Sequence, residues 1–206
     1  MSIKNKAIAL VTGGAGFIGS HMVDRLLDEG YFVRVIDNLQ GGKEINLFHH
    51  RNNPRISFEC QNILEVQPSD AIFEDVREIY HFAGIGDIIP SIEKPIDYMN
   101  VNVMGTVKLL HAAKNCGCRK FVYAASSSCY GLCKEFPTSE NAMIRPEYPY
   151  ALSKNIGEQA AFHWHKVYGL PVNSIRIFNA YGPRSRTTGA YGAVFGVFLS
   201  QKLAKK

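Results

Sequence analysis

Short apolar runs alternate along the chain with longer stretches in which apolar residues recur at helical spacing. A continuous run such as residues 7–11 is typical of a strand buried on both faces of a sheet. Residues 17–29 instead carry apolar side chains three or four positions apart, which predicts a helix that ends at Gly30. Strands that alternate with helices indicate an α/β protein with a doubly wound parallel sheet and helices on both faces. The predicted strands span 7–11, 32–36, 53–58, 78–82, 121–125 and 172–178, and the predicted helices span 17–29, 98–115 and 150–168.

A glycine-rich segment follows the first predicted strand. Gly14, Gly16 and Gly19 match the pattern G-x-G-x-x-G, and Gly13 adds a fourth glycine. Glycines at these positions permit a tight turn and let a pyrophosphate approach the backbone, while the next helix offers unpaired N–H donors. A plain glycine turn is the alternative, but the placement between a strand and a helix favours a dinucleotide-binding loop of Rossmann type.

A carboxylate at the end of the second predicted strand indicates which dinucleotide the loop would bind. Asp37 lies 18 residues after Gly19, and a carboxylate about 20 residues beyond the glycines accepts hydrogen bonds from the adenosine ribose. Because it would repel a 2′-phosphate, NAD is favoured over NADP. Arg34 is nearby but belongs to the strand, and an ordinary turn aspartate is the alternative.

Two further motifs point to proton transfer at a sugar or alcohol hydroxyl. Tyr150 and Lys154 are four residues apart on a predicted helix and therefore share a face. An ammonium beside a phenol favours the phenolate, so we expect Lys154 to lower the pKa of Tyr150 toward neutrality. Ser126, Ser127 and Ser128 follow the fifth predicted strand, at the edge of the sheet where ligands bind. Chance spacing or a plain turn would explain either motif alone; behind a dinucleotide loop, both favour catalysis.

Seven short stretches, in one order across almost the whole chain, carry a resemblance to a known family. The chain resembles the extended short-chain dehydrogenases/reductases of the NAD-dependent epimerase/dehydratase family, which act on nucleotide sugars. The resemblance implies a Rossmann domain that binds NAD, followed by a smaller substrate-binding region. The stretches are TGGAGFIGSH (12–21), VIDNL (35–39), HFAG (81–84), NVMGT (102–106), AASSSCYG (124–131), PYALSK (149–154) and RIFNAYGPR (176–184).

The resemblance also implies roles for individual residues. Ser126, Tyr150 and Lys154 would be catalytic, with Tyr150 as the base and Lys154 also on the nicotinamide ribose. The nucleotide-sugar substrate would contact Ser126, Ser127, Ser128, Tyr150 and Asn179. The cofactor would contact Gly13, Gly16, Phe17, Ile18, Gly19, Asp37, Asn38, Asn62, Ile63, Phe82, Ala83, Gly84, Tyr150, Lys154 and Phe178.

Two departures from the family pattern bear on cofactor contact and on the reaction. Asn62 stands where the family usually has an aspartate for the adenine amino group, and its side-chain carbonyl keeps an acceptor there. Ser127 and Ser128 stand where the 4,6-dehydratases of this family carry Asp-Glu, and its decarboxylases carry a glutamate at the second position. Serine cannot act as a carboxylate acid or base. We therefore expect an NAD-dependent nucleotide-sugar 4-epimerase of the UDP-glucose/UDP-galactose type, with a dehydratase or decarboxylase that uses a displaced acid as the weaker alternative.

The length of the chain, 206 residues, adds an expectation about domain organisation. By the resemblance, residues 1–180 form the NAD-binding domain and residues 181–206 only begin a substrate-binding region that is mostly absent, as in a C-terminally truncated chain. A non-catalytic NAD-binding fragment of such an enzyme is therefore a second hypothesis. The apolar run after residues 1–6 continues into the glycine loop and does not fit a signal peptide. Family members often pair through the helices at 98–115 and 150–168, so we expect a homodimer.

Composition and charge argue against several other classes of protein. The 23 basic and 18 acidic side chains give a net charge of +5, and their scattered placement does not predict a nucleic-acid partner. No apolar run reaches the roughly 18 residues of a membrane span. The five cysteines form neither a disulfide framework nor a zinc pattern, and we expect a reducing, cytoplasmic setting. We assign no metal site: His163 and His165 are expected at the surface or a partner helix, and His49 and His50 receive no role.

Overall fold

Six strands form one parallel sheet in the computed structural model, which describes residues 7–133, 135–185 and 194–205. The strands are β1 (Ile8–Thr12), β2 (Phe32–Asp37), β3 (Ile56–Cys60), β4 (Val76–His81), β5 (Lys120–Ser126) and β6 (Val172–Ile177). They lie in the order β3-β2-β1-β4-β5-β6, and each pairs in parallel with its neighbours. Residues 1–6, which bear on the signal-peptide expectation, and residues 186–193 of the expected substrate-binding region lie outside the described residues.

Helices pack on both faces of this sheet. The α-helices of the described residues are α1 (Phe17–Asp28), α2 (Ile88–Glu93), α3 (Pro95–Tyr98), α4 (Thr106–Asn115), α5 (Pro149–Tyr168) and α6 (Val194–Leu203), of which α1 covers one face and α4 and α5 the other. Successive strand residues point to opposite faces, so Val11 packs with Leu26 of α1 in one apolar cluster. Leu10 packs with Leu110 of α4 and Ala161 of α5 in the other. The predicted doubly wound α/β fold is confirmed.

The segment predicted as one helix over 98–115 is divided in the structure. A π-helical stretch, Met99–Gly105, separates α3 from α4. Within it, the Thr106 hydroxyl donates to the Asn102 carbonyl oxygen at 2.7 Å. A Cβ at Gly105 would lie only 2.6 Å from the Ile63 side chain, so the backbone runs close to the core here. A 3.6-residue period of apolar positions does not reveal the wider π-helical turn, which holds one extra residue. Such turns frequently lie at functional sites.

The helix that carries Tyr150 and Lys154 has clear terminal signals. Pro149 occupies its first turn, where the missing N–H costs nothing. Gly169 follows its last residue with a φ of +71°, the left-handed conformation that ends many helices. At 20 residues, α5 is the longest helix among the described residues. No helix in the described part of the chain is both long and apolar enough to cross a membrane.

Candidate functional site

The glycine loop between β1 and α1 is shaped by close backbone contacts. Gly13 has a φ of +70°, and a Cβ there would lie 2.6 Å from the backbone nitrogen of Ala83. A Cβ at Gly19 would collide with the carbonyl oxygen of Gly13. Gly16 precedes the first residue of α1, and its own Cβ would come no closer than 3.1 Å to its described surroundings. The loop therefore needs Gly13 and Gly19 for its own fold, while Gly16 leaves the positive end of α1 accessible to an anion.

Asp37, at the end of β2, stabilises the same loop through its side chain. Its two carboxylate oxygens accept hydrogen bonds from the Ala15 N–H at 3.0 Å and the Leu39 N–H at 2.8 Å. The side-chain amide of Asn46 donates to the Ala15 carbonyl oxygen at 2.8 Å. Sequence reasoning assigned Asp37 only to the adenosine ribose and gave Asn46 no role. Each carboxylate oxygen has a further lone pair, so the ribose contact stays a prediction.

The strand order reverses between β1 and β4, and the carboxyl ends of these strands border a crevice of the kind that binds ligands in such sheets. The Phe82 N–H donates to the Thr12 carbonyl oxygen at 3.0 Å, which brings the segment after β4 against the glycine loop. A Cβ at Gly84 would lie 2.9 Å from Asn102 Oδ1 and 3.6 Å from Lys154 Nζ. The glycine loop, the segment after β4 and the lysine ammonium are thus neighbours at one edge of the sheet.

A buried histidine that sequence reasoning missed lies at this edge. His81 Nδ1 is 2.7 Å from the Thr12 hydroxyl, and Nε2 is 2.9 Å from the Thr106 hydroxyl. Because the Thr106 hydroxyl donates to the Asn102 carbonyl, it must accept from His81, which assigns the proton to Nε2. Burial, and then the charge of Lys154, lower the pKa of His81 to about 3, so the ring is neutral at neutral pH.

Ser126 ends β5 and caps the 3₁₀ turn Ser127–Tyr130. Its hydroxyl oxygen accepts from the Ser128 N–H at 3.2 Å, and its O–H donates to the Ser128 hydroxyl at 3.1 Å. The Ser126 hydroxyl also lies near enough to the Tyr150 phenol to lower its pKa. The Tyr98 ring packs edge-on against the Tyr150 ring, with centroids 6.2 Å apart. The fold therefore brings together hydroxyl groups that are 24 residues apart along the chain.

The electrostatics of Tyr150 differ from the sequence-based expectation. Burial raises the pKa of Tyr150, the nearby Ser126 hydroxyl lowers it by less, and the charge of Asp87 raises it further. Lys154 is only 7% exposed, its ammonium lies 4.8 Å from the centre of the Tyr123 ring, and burial lowers its own pKa to about 8. The expected lowering of the Tyr150 pKa by Lys154 is not found. Desolvation disfavours the charged form of both groups, and a shared helix face does not by itself overcome it.

The residues expected near adenine follow β3. The Asn62 side-chain oxygen accepts the Leu64 N–H at 3.0 Å and so caps a turn. The Ile63 side chain is 5% exposed and belongs to the apolar core, so this residue can offer a ligand only its backbone. The proposed acceptor role of Asn62 toward adenine stays a prediction, because its oxygen retains a second lone pair.

An ion pair to which the sequence analysis assigned no role holds the end of β6. Arg176 Nε donates to both carboxylate oxygens of Glu158, at 3.1 and 3.0 Å, and Glu158 is 3% exposed. Arg176 Nη1 also donates to the Tyr130 hydroxyl at 2.8 Å. The Tyr130 ring stacks on Phe178, with centroids 6.3 Å apart. Phe178 and Asn179 are themselves exposed, directly beyond the strand.

The structure gathers the sequence-predicted site residues at the carboxyl edge of the sheet. Tyr150 and Lys154 reach this edge from the first two turns of α5. Ser127 and Ser128 are partly exposed there, whereas Cys129 is buried. The others lie at, or within a few residues of, the carboxyl ends of strands: Gly13, Gly16, Phe17, Ile18, Gly19, Asp37, Asn38, Asn62, Ile63, Phe82, Ala83, Gly84, Ser126, Phe178 and Asn179.

The parallel sheet, its strand order and the glycine loop define a protein with a Rossmann-type fold. The family model described as GDP-mannose 4,6 dehydratase matches residues 10–202. The chain belongs to this NAD-dependent epimerase/dehydratase family, which confirms the resemblance seen in the sequence.

Curated relatives carry more than one activity. The UDP-glucose 4-epimerase of Mycolicibacterium smegmatis is 38% identical over 197 residues, which cover 95% of this chain and 63% of that protein. UDP-glucuronic acid decarboxylase 1 of Arabidopsis thaliana is 36% identical over 201 residues, which cover 95% of this chain and 44% of that protein. Relatives in the family therefore catalyse different reactions on nucleotide sugars, and membership of the family does not decide among them.

Solved structures show the same pattern. UDP-N-acetylglucosamine 4-epimerase from Methanobrevibacter ruminantium, in complex with UDP-N-acetylmuramic acid, has a TM-score of 0.93 and 33% identity, covering 98% of this chain and 64% of that one. UDP-glucuronic acid 4-epimerase from Bacillus cereus, with UDP-glucuronic acid and NAD, has a TM-score of 0.88 and 34% identity over 97% and 64% of the two chains. The dTDP-glucose 4,6-dehydratase DesIV from Streptomyces venezuelae, with NAD and TYD, has a TM-score of 0.86 and 31% identity over 96% and 62%. The present chain thus spans less than two thirds of each of these proteins.

Proposed function

We propose that this chain belongs to an NAD-dependent nucleotide-sugar 4-epimerase of the UDP-glucose/UDP-galactose type. The observation that carries the proposal is the placement of Ser126, at the end of β5, with Tyr150, in the first turn of α5, at the carboxyl edge of the sheet, where the Ser126 hydroxyl acts on the pKa of the phenol. These two groups can move a proton to and from one sugar hydroxyl. Ser127 and Ser128 occupy the positions at which dehydratases and decarboxylases of the family carry carboxylates, which disfavours loss of water or CO₂.

The residues at the site fit NAD. The partly buried backbone at Gly16 and the N-terminus of α1 would hold the pyrophosphate, and Asp37 would accept the ribose hydroxyls of its adenosine. Lys154 lies beside Gly84, where the nicotinamide ribose would lie. NAD bound there would supply a hydride acceptor and donor for C4 of the sugar. The presence of NAD in two of the solved relatives supports this assignment.

Tyr150 would take the proton of the sugar 4-hydroxyl and later return it, while Ser126 would hydrogen-bond the reacting oxygen. Burial raises the pKa of Tyr150, so the phenol requires a nearby positive charge to act as a base. Lys154 is the cation on the same face of α5, and with a pKa of about 8 it is mostly protonated at neutral pH. The proposal therefore places the base and its cation on one rigid helix, which keeps their geometry fixed.

Incubation with UDP-glucose and NAD, followed by NMR at the sugar C4 position, tests the proposal. We expect inversion at C4 without net NADH. Tyr150→Phe should reduce turnover by about 10²–10⁴-fold because it removes the proton acceptor, and it should leave NAD binding intact. Tyr148→Phe, two residues earlier, is the matched control, because the side chain of Tyr148 does not cap the helix. Net loss of water or CO₂ would contradict the epimerase assignment.

The second candidate is a non-catalytic NAD-binding fragment, and the observation that favours it is the share of the relatives that this chain spans. Residues 1–180 would form the NAD-binding domain and residues 181–206 the start of a substrate-binding region. Phe195 and Phe198 of α6 are more than 60% exposed. Residues of a substrate-binding region would cover apolar side chains of this kind. Calorimetry distinguishes the candidates: NAD binding without UDP-sugar binding favours the fragment.

We further propose a cytoplasmic homodimer that forms through the helices at 98–115 and 150–168. Met104 and Phe162, on these segments, are 49% and 45% exposed and would be buried between the subunits. The five cysteines are free, which supports a reducing compartment. Light scattering should report a dimer that Met104→Glu and Phe162→Glu together convert to a monomer, whereas a wild-type monomer would contradict the proposal.

A further inference from the structure

Three side chains that can ligate metals converge outside the proposed catalytic and cofactor residues. Asp24 lies on α1, and His49 and His50 form the end of a 3₁₀ turn, Phe48–His50, in the connection between β2 and β3. His49 Nε2 is 2.8 Å, and His50 Nε2 is 2.7 Å, from the same carboxylate oxygen, Asp24 Oδ1. The ligand atoms of all three residues lie within 4.8 Å of one another.

The convergence of the two imidazoles is a specific arrangement. Consecutive side chains leave a 3₁₀ turn about 120° apart, so both rings must turn inward to reach one oxygen. They do so with ring centroids 4.0 Å apart. His50 is 16% exposed, Asp24 25% and His49 46%, so the group is held by the fold and still accessible to an ion and its waters.

The second oxygen of the carboxylate is held from the other side. Arg184 Nη1 lies 2.8 Å from Asp24 Oδ2, and His21 Nδ1 lies 3.9 Å from it. The carboxylate is therefore held from both sides, with Oδ1 directed at the histidines and Oδ2 at the guanidinium. Carboxylates that ligate metals are commonly fixed by outer hydrogen bonds of this kind.

We propose that Asp24, His49 and His50 bind a divalent transition-metal ion of the zinc class. Two imidazole nitrogens and one carboxylate oxygen form a three-ligand set that such ions accept, with a remaining position for water. The ion would tie α1, which begins at the glycine loop, to the connection that follows Asp37. The guanidinium of Arg184 opposes a second positive charge, so we expect micromolar rather than nanomolar affinity. The site does not depend on the proposed epimerase activity.

Titration of the chelator-treated chain with Co²⁺ and Zn²⁺ tests the site. The five free cysteines also bind these ions, so they are first blocked with a thiol reagent. We expect one Co²⁺ per chain, with visible absorption and no thiolate-to-cobalt charge-transfer band. His50→Asn and Asp24→Asn should each weaken binding at least about tenfold, whereas His163→Asn, which changes an exposed histidine on α5, should not.

The alternative is a hydrogen-bonded link without an ion. In that case the His50→Asn substitution lowers the thermal midpoint equally with and without Zn²⁺. Co²⁺ binding is then absent, or it is unchanged by the substitutions. Either result overturns the proposal. If Asp24→Asn loses its fold by circular dichroism, His49→Asn and His50→Asn decide, because each removes one ligand and leaves the Asp24–Arg184 ion pair intact. Zinc that raises the midpoint of the wild type but not of these variants supports the site.

Discussion

The glycine loop and the group of Ser126, Tyr150 and Lys154 meet at one edge of the sheet but are made of different parts. The loop consists of backbone that approaches other backbone, so its requirements are space and a positive φ at Gly13. The proposed catalytic group includes Tyr150 and Lys154, two side chains whose charged forms are disfavoured by burial. We therefore expect added atoms to damage the loop, whereas removal of charge from the catalytic group should stabilise the fold and damage function.

The largest effect is expected from Gly13→Ala. A left-handed φ costs a non-glycine residue about 1 kcal/mol, and contacts of 2.6–2.8 Å with the backbone of Phe82 and Ala83 add about 2–3 kcal/mol of overpacking. Gly117→Ala is the control, because Gly117 has a φ of +68° and nothing within 4 Å of an added Cβ. Chemical denaturation should show a loss of about 3–4 kcal/mol for the first variant and about 1 kcal/mol for the second. Equal losses would mean that the close approach to β4 does not constrain the loop.

Lys154→Met tests the cost of the buried charge in the group of Ser126, Tyr150 and Lys154. Burial lowers the pKa of Lys154 from 10.5 to about 8, which corresponds to a cost of about 3 kcal/mol for the charge at neutral pH. Without added NAD, the variant should be up to about 3 kcal/mol more stable than the wild type, since methionine fits the same apolar surroundings. NAD binding and turnover should fall. Lys166→Met, at an exposed position of the same helix, should change stability by less than about 0.5 kcal/mol. A destabilised Lys154→Met would show that the ammonium has compensating partners.

The same contrast explains what the sequence could and could not predict. The glycine loop is local: a strand, closely spaced glycines and a helix follow one another in the chain, so Gly13, Gly16 and Gly19 were identified without the structure. Tyr150 and Lys154 were identified by their spacing on one helix. The direction of the Tyr150 pKa shift was not predicted correctly, because the burial of Tyr150 and Lys154 involves Tyr98, the segment around Asn102, and Tyr123 of β5, which are distant in sequence.

Other missed features are likewise non-local. Glu158 lies one turn after Lys154, on the same buried face of α5. A second ionisable residue on this face was the available signal that Glu158 pairs with a charged residue on a neighbouring strand. His81 could be read as part of a cofactor-lining stretch, but its two threonine partners come from β1 and α4. The cluster of Asp24, His49 and His50 joins residues 25 and 26 positions apart, which no short motif records.

His81 adds to the comparison, because it is a buried ionisable group held between two threonine hydroxyls. The unfolded chain protonates this histidine near 6.5, whereas its folded pKa is about 3, so the unfolded state binds more protons between these values. The histidine therefore makes the free energy of unfolding fall by about 1.4 kcal/mol per pH unit as pH drops through this window. Urea titrations at pH 6, 5 and 4 should show a slope smaller by this amount in His81→Gln. Parallel slopes would mean that the ring is charged in the folded protein.

Asn46→Ala addresses a place where a neutral side chain supports the glycine loop from outside. Its amide donates to the Ala15 carbonyl oxygen at 2.8 Å, on the residue whose N–H is already bound by Asp37. Loss of this neutral, partly buried hydrogen bond should cost about 1 kcal/mol, with a matching increase in amide exchange at Ala15. Asn52→Ala, at an exposed turn of the same connection, should change neither quantity. Because the loop is backbone held by backbone and by Asp37, we expect NAD affinity to fall only modestly. A loss of affinity as large as that of Gly13→Ala would instead show that the connection after β2 determines the shape of the loop.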